Sequence, residues 1–342
     1  MKKNDSEKVG DPPVKDFAQR LLAWHSVHGR HDLPWQHPRT PYRVWVAEVM
    51  LQQTQVQTVI PYFARFMARF ADVEALAAAD VSEVLALWSG LGYYARGRNL
   101  HRAAQQIVAE GGFPMDRLGW EALSGIGRST AAAIVAQAYG QREAILDGNV
   151  KRVLCRLFGV EGWAGERAVS ERLWMLAEQL LPAECELMPD YTQAQMDLGA
   201  TVCTRSRPRC EVCPFEKDCV AVQQNRVSEL PTPRPRKALP VREVMWQICV
   251  NDDRVWLVER DQGGLWGGLH VFAQVETPRG VPLPPFRHTF THFHLDIAPY
   301  LWHTHLPNPT PDTGAWWPLQ EALALPLPAP VKKLLMEVQD ES

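Results

Sequence analysis

The 342-residue chain has no apolar stretch of the roughly 20 residues that a membrane-spanning helix requires. Its opening residues, MKKNDSEKVG, are polar and have no apolar segment behind them, so no secretory signal is expected and the expected compartment is the cytoplasm. Charge of one sign is lacking too. The net charge is −3 at pH 7, so bulk charge does not announce a nucleic-acid binder, and any such role must rest on local patches. Long internal repeats are absent. Cysteine is scarce, seven residues in all, and four of them crowd between 203 and 219, which in a reducing compartment points to metal rather than disulfides. The remaining composition, 46% hydrophobic and 22% charged, is that of a globular protein long enough for two domains.

Residues 15–226 read as helices punctuated by glycine. DVSEVLALWSGLGYY offers an N-cap at Asp80 or Ser82, and LHRAAQQIVAEGG is a helix with a glycine stop. SERLWMLAEQLLP is a further helix, ended by Pro182. The segment VSELPTPRPRKALP, with four prolines, suits neither a helix nor a central strand and reads as a linker. Beyond it the runs turn β-branched and aromatic. VREVMWQICV and RVWLVER, separated by NDD, form a hairpin signal, FHLDIAPYLWHTHL suggests another pair of strands, and VKKLLMEV a closing helix. The expected fold is multi-domain: an all-α domain over 1–226, a Pro-rich linker over 227–242, and a small α+β domain over 243–342.

Three local features carry chemistry. Cys203, Cys210, Cys213 and Cys219 are spaced by six, two and five residues. Four thiolates in one short loop can surround one metal centre. Only one pair has the knuckle spacing of a zinc ribbon, so an iron–sulfur cluster is favoured over zinc. Arg205, Arg207 and Arg209 make this loop basic, as a solvated surface or as a phosphate contact. In LSGIGRSTAAAIV, Gly125 and Gly127 permit a tight turn between two helices, a helix-hairpin-helix whose free N–H groups can hold a phosphate without reading sequence. VWVAEVMLQQTQV is a helix that is apolar nearly all round, with one acid, Glu48, inside it. Burial raises a carboxyl pKa, so Glu48 could hold a proton near neutrality; pairing with a buried arginine is the alternative. Asp147 or Asn149, before the helix that begins near Val150, could equally be an ordinary N-cap.

Taken in order, the hairpin, LDGNV and the cysteine loop resemble the endonuclease III superfamily of DNA glycosylases. LPWQ, VWVAEVMLQQTQV, GLGYYARGRNL, ILDGNVKRVL and HTFTHFHLDI are similar to the adenine DNA glycosylase (MutY) family, over about residues 16–335. The resemblance implies base-excision repair: hydrolysis of the N-glycosidic bond of adenine mispaired with 8-oxoguanine or G in duplex DNA. It also implies one [4Fe-4S] cluster on the four cysteines. Glu48 would protonate the leaving adenine at N7, Asp147 would stabilise the cationic sugar and guide water, and Asn149 would assist at the sugar. Gln53 and Tyr93 match residues that wedge beside the orphaned base, Leu91 and Thr54 match its neighbours, and Trp35 and Gln36 match the lining of the adenine pocket. The expected form is a monomer near the nucleoid, with repair-pathway proteins as further partners.

Ser129 stands where bifunctional relatives carry a lysine that attacks the sugar. A hydroxyl cannot form a Schiff base, so a monofunctional enzyme using water is expected. The alternative, an endonuclease III-like glycosylase and lyase for oxidised pyrimidines, is opposed by Ser129 and by the second domain. That domain resembles the MutT/Nudix fold, with GGLWGGL as its early loop, but lacks the glutamate-rich box that binds the catalytic metal. It is therefore expected to bind without hydrolysing. Phe290, Thr291 and His292 match the family's Phe-Ser-His loop that reads 8-oxoguanine. His288, His292 and His294 as a metal site is the competing reading.

Overall fold

Residues 14–235, 238–261 and 264–340 are described by a computed structural model. The first part is helical: α1 (Phe17–His28), α2 (Pro41–Leu51), α3 (Val56–Arg69), α4 (Val73–Ala78), α5 (Val81–Trp88), α6 (Ala95–Ala109), α7 (Arg117–Ala122), α8 (Arg128–Tyr139), α9 (Gly148–Leu157), α10 (Arg167–Gln179), α11 (Met188–Asp197) and α12 (Val220–Gln223). Among the described residues, no helix is long and apolar enough to cross a membrane.

Helix starts follow local capping chemistry. Thr40, Asp72, Asp80, Asp116 and Asp147 each accept a bond from a backbone N–H in the first turn of α2, α4, α5, α7 and α9. Asp147 is thus the cap of α9, and Asn149 is not. The run VWVAEVMLQQTQV, expected as one helix, stops at Leu51. Gln53 takes a left-handed conformation, φ 59°, and α3 begins at Val56. The polar quartet Gln52–Gln55 has no apolar face to bury, so the chain turns there. α10 likewise ends at Gln179, before Pro182.

Two compact units emerge. The described residues up to Ala64, with Gln106 onward into the linker, form one; Arg65–Gln105 and the residues after the linker form the other. A division read along the sequence had no means of grouping 65–105 with the C-terminal part. The first unit is built around Phe17, Leu21, Val150, Leu154 and Tyr191, with Phe17 stacked on Phe215 at 4.5 Å. Within it α2 packs on α8, and α11 packs on α1, α8 and α9. α11 runs into a π-helical turn, Leu198–Val202, that delivers the chain to Cys203.

The second unit contains one mixed sheet among the described residues: β1 (Val241–Asn251), β2 (Arg254–Glu259), β3 (His270–Val271), β4 (Ala273–Gln274), β5 (Val281–Pro282), β6 (Phe286–Thr289), β7 (His294–His303) and β8 (Gly314–Pro318). The expected β1–β2 hairpin forms, with Asn251 opposite Arg254. FHLDIAPYLWHTHL is one ten-residue strand rather than two. Its length is fixed by unbroken parallel pairing with β1, from Val241↔His294 to Val250↔His303. Period-two alternation splits the sheet's burial. Trp246, Ile248, Val255 and Leu257 face a core closed by α13 (Ala329–Asp340), while Cys249, Trp256 and Val258 face the other side. The fold is therefore an all-α part followed by an α+β part, as expected.

Candidate active site

Glu48 lies in the middle of α2, between the buried Ala47 and Val49. Part of its surface opens into a cavity of about 860 Å3, and the carboxyl sits deep in the protein. Burial pushes its pKa up to about 7, despite an opposing hydrogen bond from Gln137 Nε2 to Oε1 at 2.9 Å; the nearby Asp147 raises it further. Gln137, on α8, is 3% exposed. Sequence reasoning overlooked it, although it breaks the apolar run AAAIVAQA just as Glu48 breaks its own.

Asp147 lines the same cavity. Burial raises its pKa too. The Val150 N–H (2.8 Å to Oδ1), the Asn149 amide (3.0 Å to Oδ2) and the Arg152 guanidinium work in the opposite direction. The two carboxyls therefore occupy unlike environments. One is desolvated with a single amide donor; the other is surrounded by donors at the N-terminus of α9, where the helix dipole also favours an anion. The alternative of a buried arginine partner for Glu48 is not what the structure displays: Gln137 is the donor.

Asn149 also lines the cavity and is held from behind. Its Oδ1 accepts from Arg152 Nη2 at 2.8 Å. The same guanidinium donates to the Gly199 carbonyl at 2.7 Å and, through Nε, to the Cys203 carbonyl at 2.7 Å. Gly199 sits in the π-helical turn so close to Asn149 that a Cβ there would lie 2.5 Å from the Asn149 Cβ. Neither Arg152 nor Gly199 was singled out in the sequence, because their roles depend on the bulge in α11. π-Bulges recur at functional sites.

Ser129 faces the cavity near the start of α8, and its Oγ accepts from the Leu146 N–H at 2.9 Å, tying α8 to the segment that enters α9. The hairpin before it is formed by α7 and α8. Leu123 and Ile126 are buried beneath it, Gly125 has φ 78°, and Gly125 and Gly127 are exposed at the tip. Trp35 lines the cavity edge-on to Phe63 at 5.5 Å, and Gln53 and Thr54 line its rim. Gln36 does not line it. Its amide is spent on the Arg30 carbonyl and the Leu33 N–H, locking the loop that presents Trp35. A further wall comes from Gln193 and Arg30, both bonded to the fully buried Asp197.

In the second unit Tyr93 is 46% exposed and left-handed, φ 50°, while Leu91 is buried beneath it. Phe290–His292 form the turn between β6 and β7. Phe290 stacks on the buried Phe293 at 4.5 Å, and Thr291 and His292 are exposed at the tip. Among the described residues no group of three or more His, Cys, Asp or Glu side chains is arranged to hold a single metal ion, the three histidines included. The four loop cysteines line one small cavity with Arg156, whose guanidinium reaches Cys203 Sγ at 3.4 Å.

Residues 46–179 match the HhH-GPD superfamily of base excision DNA repair proteins, and residues 244–337 match the NUDIX domain. The adenine DNA glycosylase of Buchnera aphidicola subsp. Schizaphis graminum is 33% identical over 93% of this chain and 97% of its own length. The human adenine DNA glycosylase is 44% identical over 64% of this chain and 41% of its own. Among solved structures, a thermostable thymine-DNA glycosylase superposes with a TM-score of 0.54 at 29% identity, covering 61% of this chain and 95% of that one. By this identity along almost its entire length, the chain belongs to the adenine DNA glycosylase family.

Proposed function

We infer that the chain is a monofunctional adenine DNA glycosylase that acts as a monomer on duplex DNA, removing adenine opposite 8-oxoguanine or G. The observation that carries this reading is the pair of unlike carboxyls in one cavity: Glu48, protonated near neutrality, and Asp147, held by donors. Adenine leaves as a neutral base only if it receives a proton, and the sugar becomes an oxocarbenium ion that needs an anion beside it. Glu48 supplies the first and Asp147 the second, with Asn149 oriented by Arg152 at the sugar. The base must be extruded to reach Glu48. Trp35 offers an aromatic wall for it. Gln53 and Tyr93, both exposed at left-handed turns, are the wedges that hold the gap. Gly125 and Gly127 hold a phosphate, and Phe290, Thr291 and His292 read 8-oxoguanine.

The four cysteines fit a [4Fe-4S] cluster. They converge on one cavity, and their soft thiolate donor set is the one such clusters use. A brown preparation containing iron and sulfide supports the cluster, and a colourless one containing zinc excludes it.

A duplex assay tests the function. With A opposite 8-oxoguanine, A opposite G and A opposite C, strand breaks should appear only on the A strand, only after alkali, and fastest opposite 8-oxoguanine. Borohydride should trap no enzyme–DNA adduct through position 129. Strand cleavage without alkali would favour the lyase reading.

Two further outcomes follow from the geometry. Gln137→Met removes the donor that holds the Glu48 pKa down. The alkaline limb of the pH–rate profile should therefore move above about 7, with the plateau rate at lower pH changed only a few-fold. Gly199→Ala forces Asn149 aside, and the single-turnover rate should fall about 10²-fold with duplex binding retained, the loss expected for a misplacement of about 1 Å.

A further inference from the structure

The loop that presents Tyr93 is held by side-chain hydrogen bonds to its carbonyls. Trp88 Nε1 and Arg96 Nη2 both donate to the Gly92 carbonyl, at 3.3 and 3.2 Å, and Arg96 also reaches the Leu91 carbonyl. Gly97 lets α6 lie against the Trp88 ring, where a Cβ would be 3.2 Å away. Two side chains then leave α6 and its approach for the α+β part of the same compact unit. Tyr94 Oη donates to the Leu327 carbonyl at 2.6 Å, and Arg98 Nη1 donates to the carbonyl of the buried Gly267 at 2.6 Å. A buried carbonyl needs a donor, so the second bond is costly to lose.

Gly267 belongs to a tight turn in which Gly264, Trp266 and Gly268 all have positive φ. For a bulky residue such as Trp266, at 58°, this is a strained conformation that persists only where the surroundings enforce it. The surroundings are aromatic. The Trp266 ring lies 5.6 Å from Trp246, 6.0 Å from His288 and 5.7 Å from Phe290. The turn is thus gripped by Arg98 on one side and packed against the Phe290 loop on the other.

We propose that Arg98 and Tyr94 are positioning residues that couple damage reading at Phe290–His292 to the Tyr93 wedge, through the Gly267 carbonyl and the Trp266 ring. The proposal rests on the roles given above to Tyr93 and to the Phe290 loop. When the loop closes on an 8-oxoguanine, Trp266 and the turn fix α6 in the orientation that seats the wedge. Opposite an undamaged G the loop has less to hold, and the clasp contributes little.

The test measures single-turnover excision of A opposite 8-oxoguanine and A opposite G, using the full-length protein with Arg98→Met, Arg98→Lys, Tyr94→Phe, Phe290→Ala and the double variant Arg98→Met/Phe290→Ala. Arg98→Met should lower the 8-oxoguanine-to-G rate ratio about tenfold, within the range such couplings span. Its rate opposite G should stay within about twofold of the parent. Arg98→Lys, which keeps one donor, should restore most of the ratio, and Tyr94→Phe should lower it more mildly. The double variant should lose no more than the worse single change, because both act on one path. The coupling is overturned if Arg98→Met and Tyr94→Phe keep the parental ratio while Phe290→Ala loses it, if the losses multiply in the double variant, or if the rate opposite G falls equally. Should Phe290→Ala itself keep the parental ratio, the loop's reading role falls and the coupling with it.

Discussion

Glu48→Gln should abolish adenine release, with a single-turnover rate at least about 10³-fold below the parent at pH 7 and duplex affinity changed only a few-fold. Gln is nearly isosteric and still accepts the Gln137 amide, so the cavity keeps its shape and loses only the proton. The parent's rate should fall about tenfold per pH unit above about pH 7, as Glu48 ionises. The same shift has a stability consequence of definite sign. The folded-state pKa, about 7, lies above the reference value of 4.5, so the folded state binds the proton more tightly. This contribution is complete below pH 4.5 and is lost as pH rises to about 7, a change of about 3 kcal/mol. Glu48→Gln has no such loss. In denaturant melts it should gain on the parent between pH 4.5 and 8 by up to that amount. A variant that releases adenine at the parental rate, or melts that diverge in the opposite sense, would refute the protonated-acid assignment.

The parts of this site that were legible in the sequence were those whose meaning is local. Glu48 stands out because it interrupts an apolar helix, the cysteines because of their spacing, Gly125 because the tight turn takes a positive φ there, and Asp147 because a cap must precede α9. Residues whose role arises only in the folded chain were not legible. Gln137 matters because α8 crosses α2, and Arg152 and Gly199 because a π-helical turn brings α11 against α9. The turn at Gln52–Gln55 was hidden within an apolar pattern that continues into α3. The single strand β7 was hidden because parallel pairing with a partner some fifty residues away, not local alternation, sets its length. Gln36 was placed in the pocket by position along a motif. Its amide instead holds the loop, one layer behind Trp35, which only three-dimensional packing reveals.

Asp147→Asn should be almost as damaging as the Glu48 change, and for a separable reason. Asp147 does two jobs: its Oδ1 caps α9 through Val150, and its charge faces the cavity. Asn is as good an N-cap as Asp, so the helix and the melting temperature should be nearly unchanged. The anion, however, is gone. Excision should fall about 10³-fold, the scale of removing a preorganised group that meets charge developing in the transition state. Asp147→Ala loses both jobs and should show a comparable rate defect with about 1 kcal/mol of stability lost as well. The pH profile discriminates further. Burial raises the Asp147 pKa, so in the parent the anion disappears as pH falls through a value above the ordinary carboxylate range, giving an acid limb. The two carboxyls feel one another, so the limbs belong to the pair. In Asp147→Asn the acid limb should vanish while the alkaline limb persists at slightly lower pH, because the neighbouring charge that helped raise the Glu48 pKa has been removed. Loss of both limbs together, or an acid limb unchanged in the Asn variant, would show that the cap is structural and that another group steadies the sugar cation.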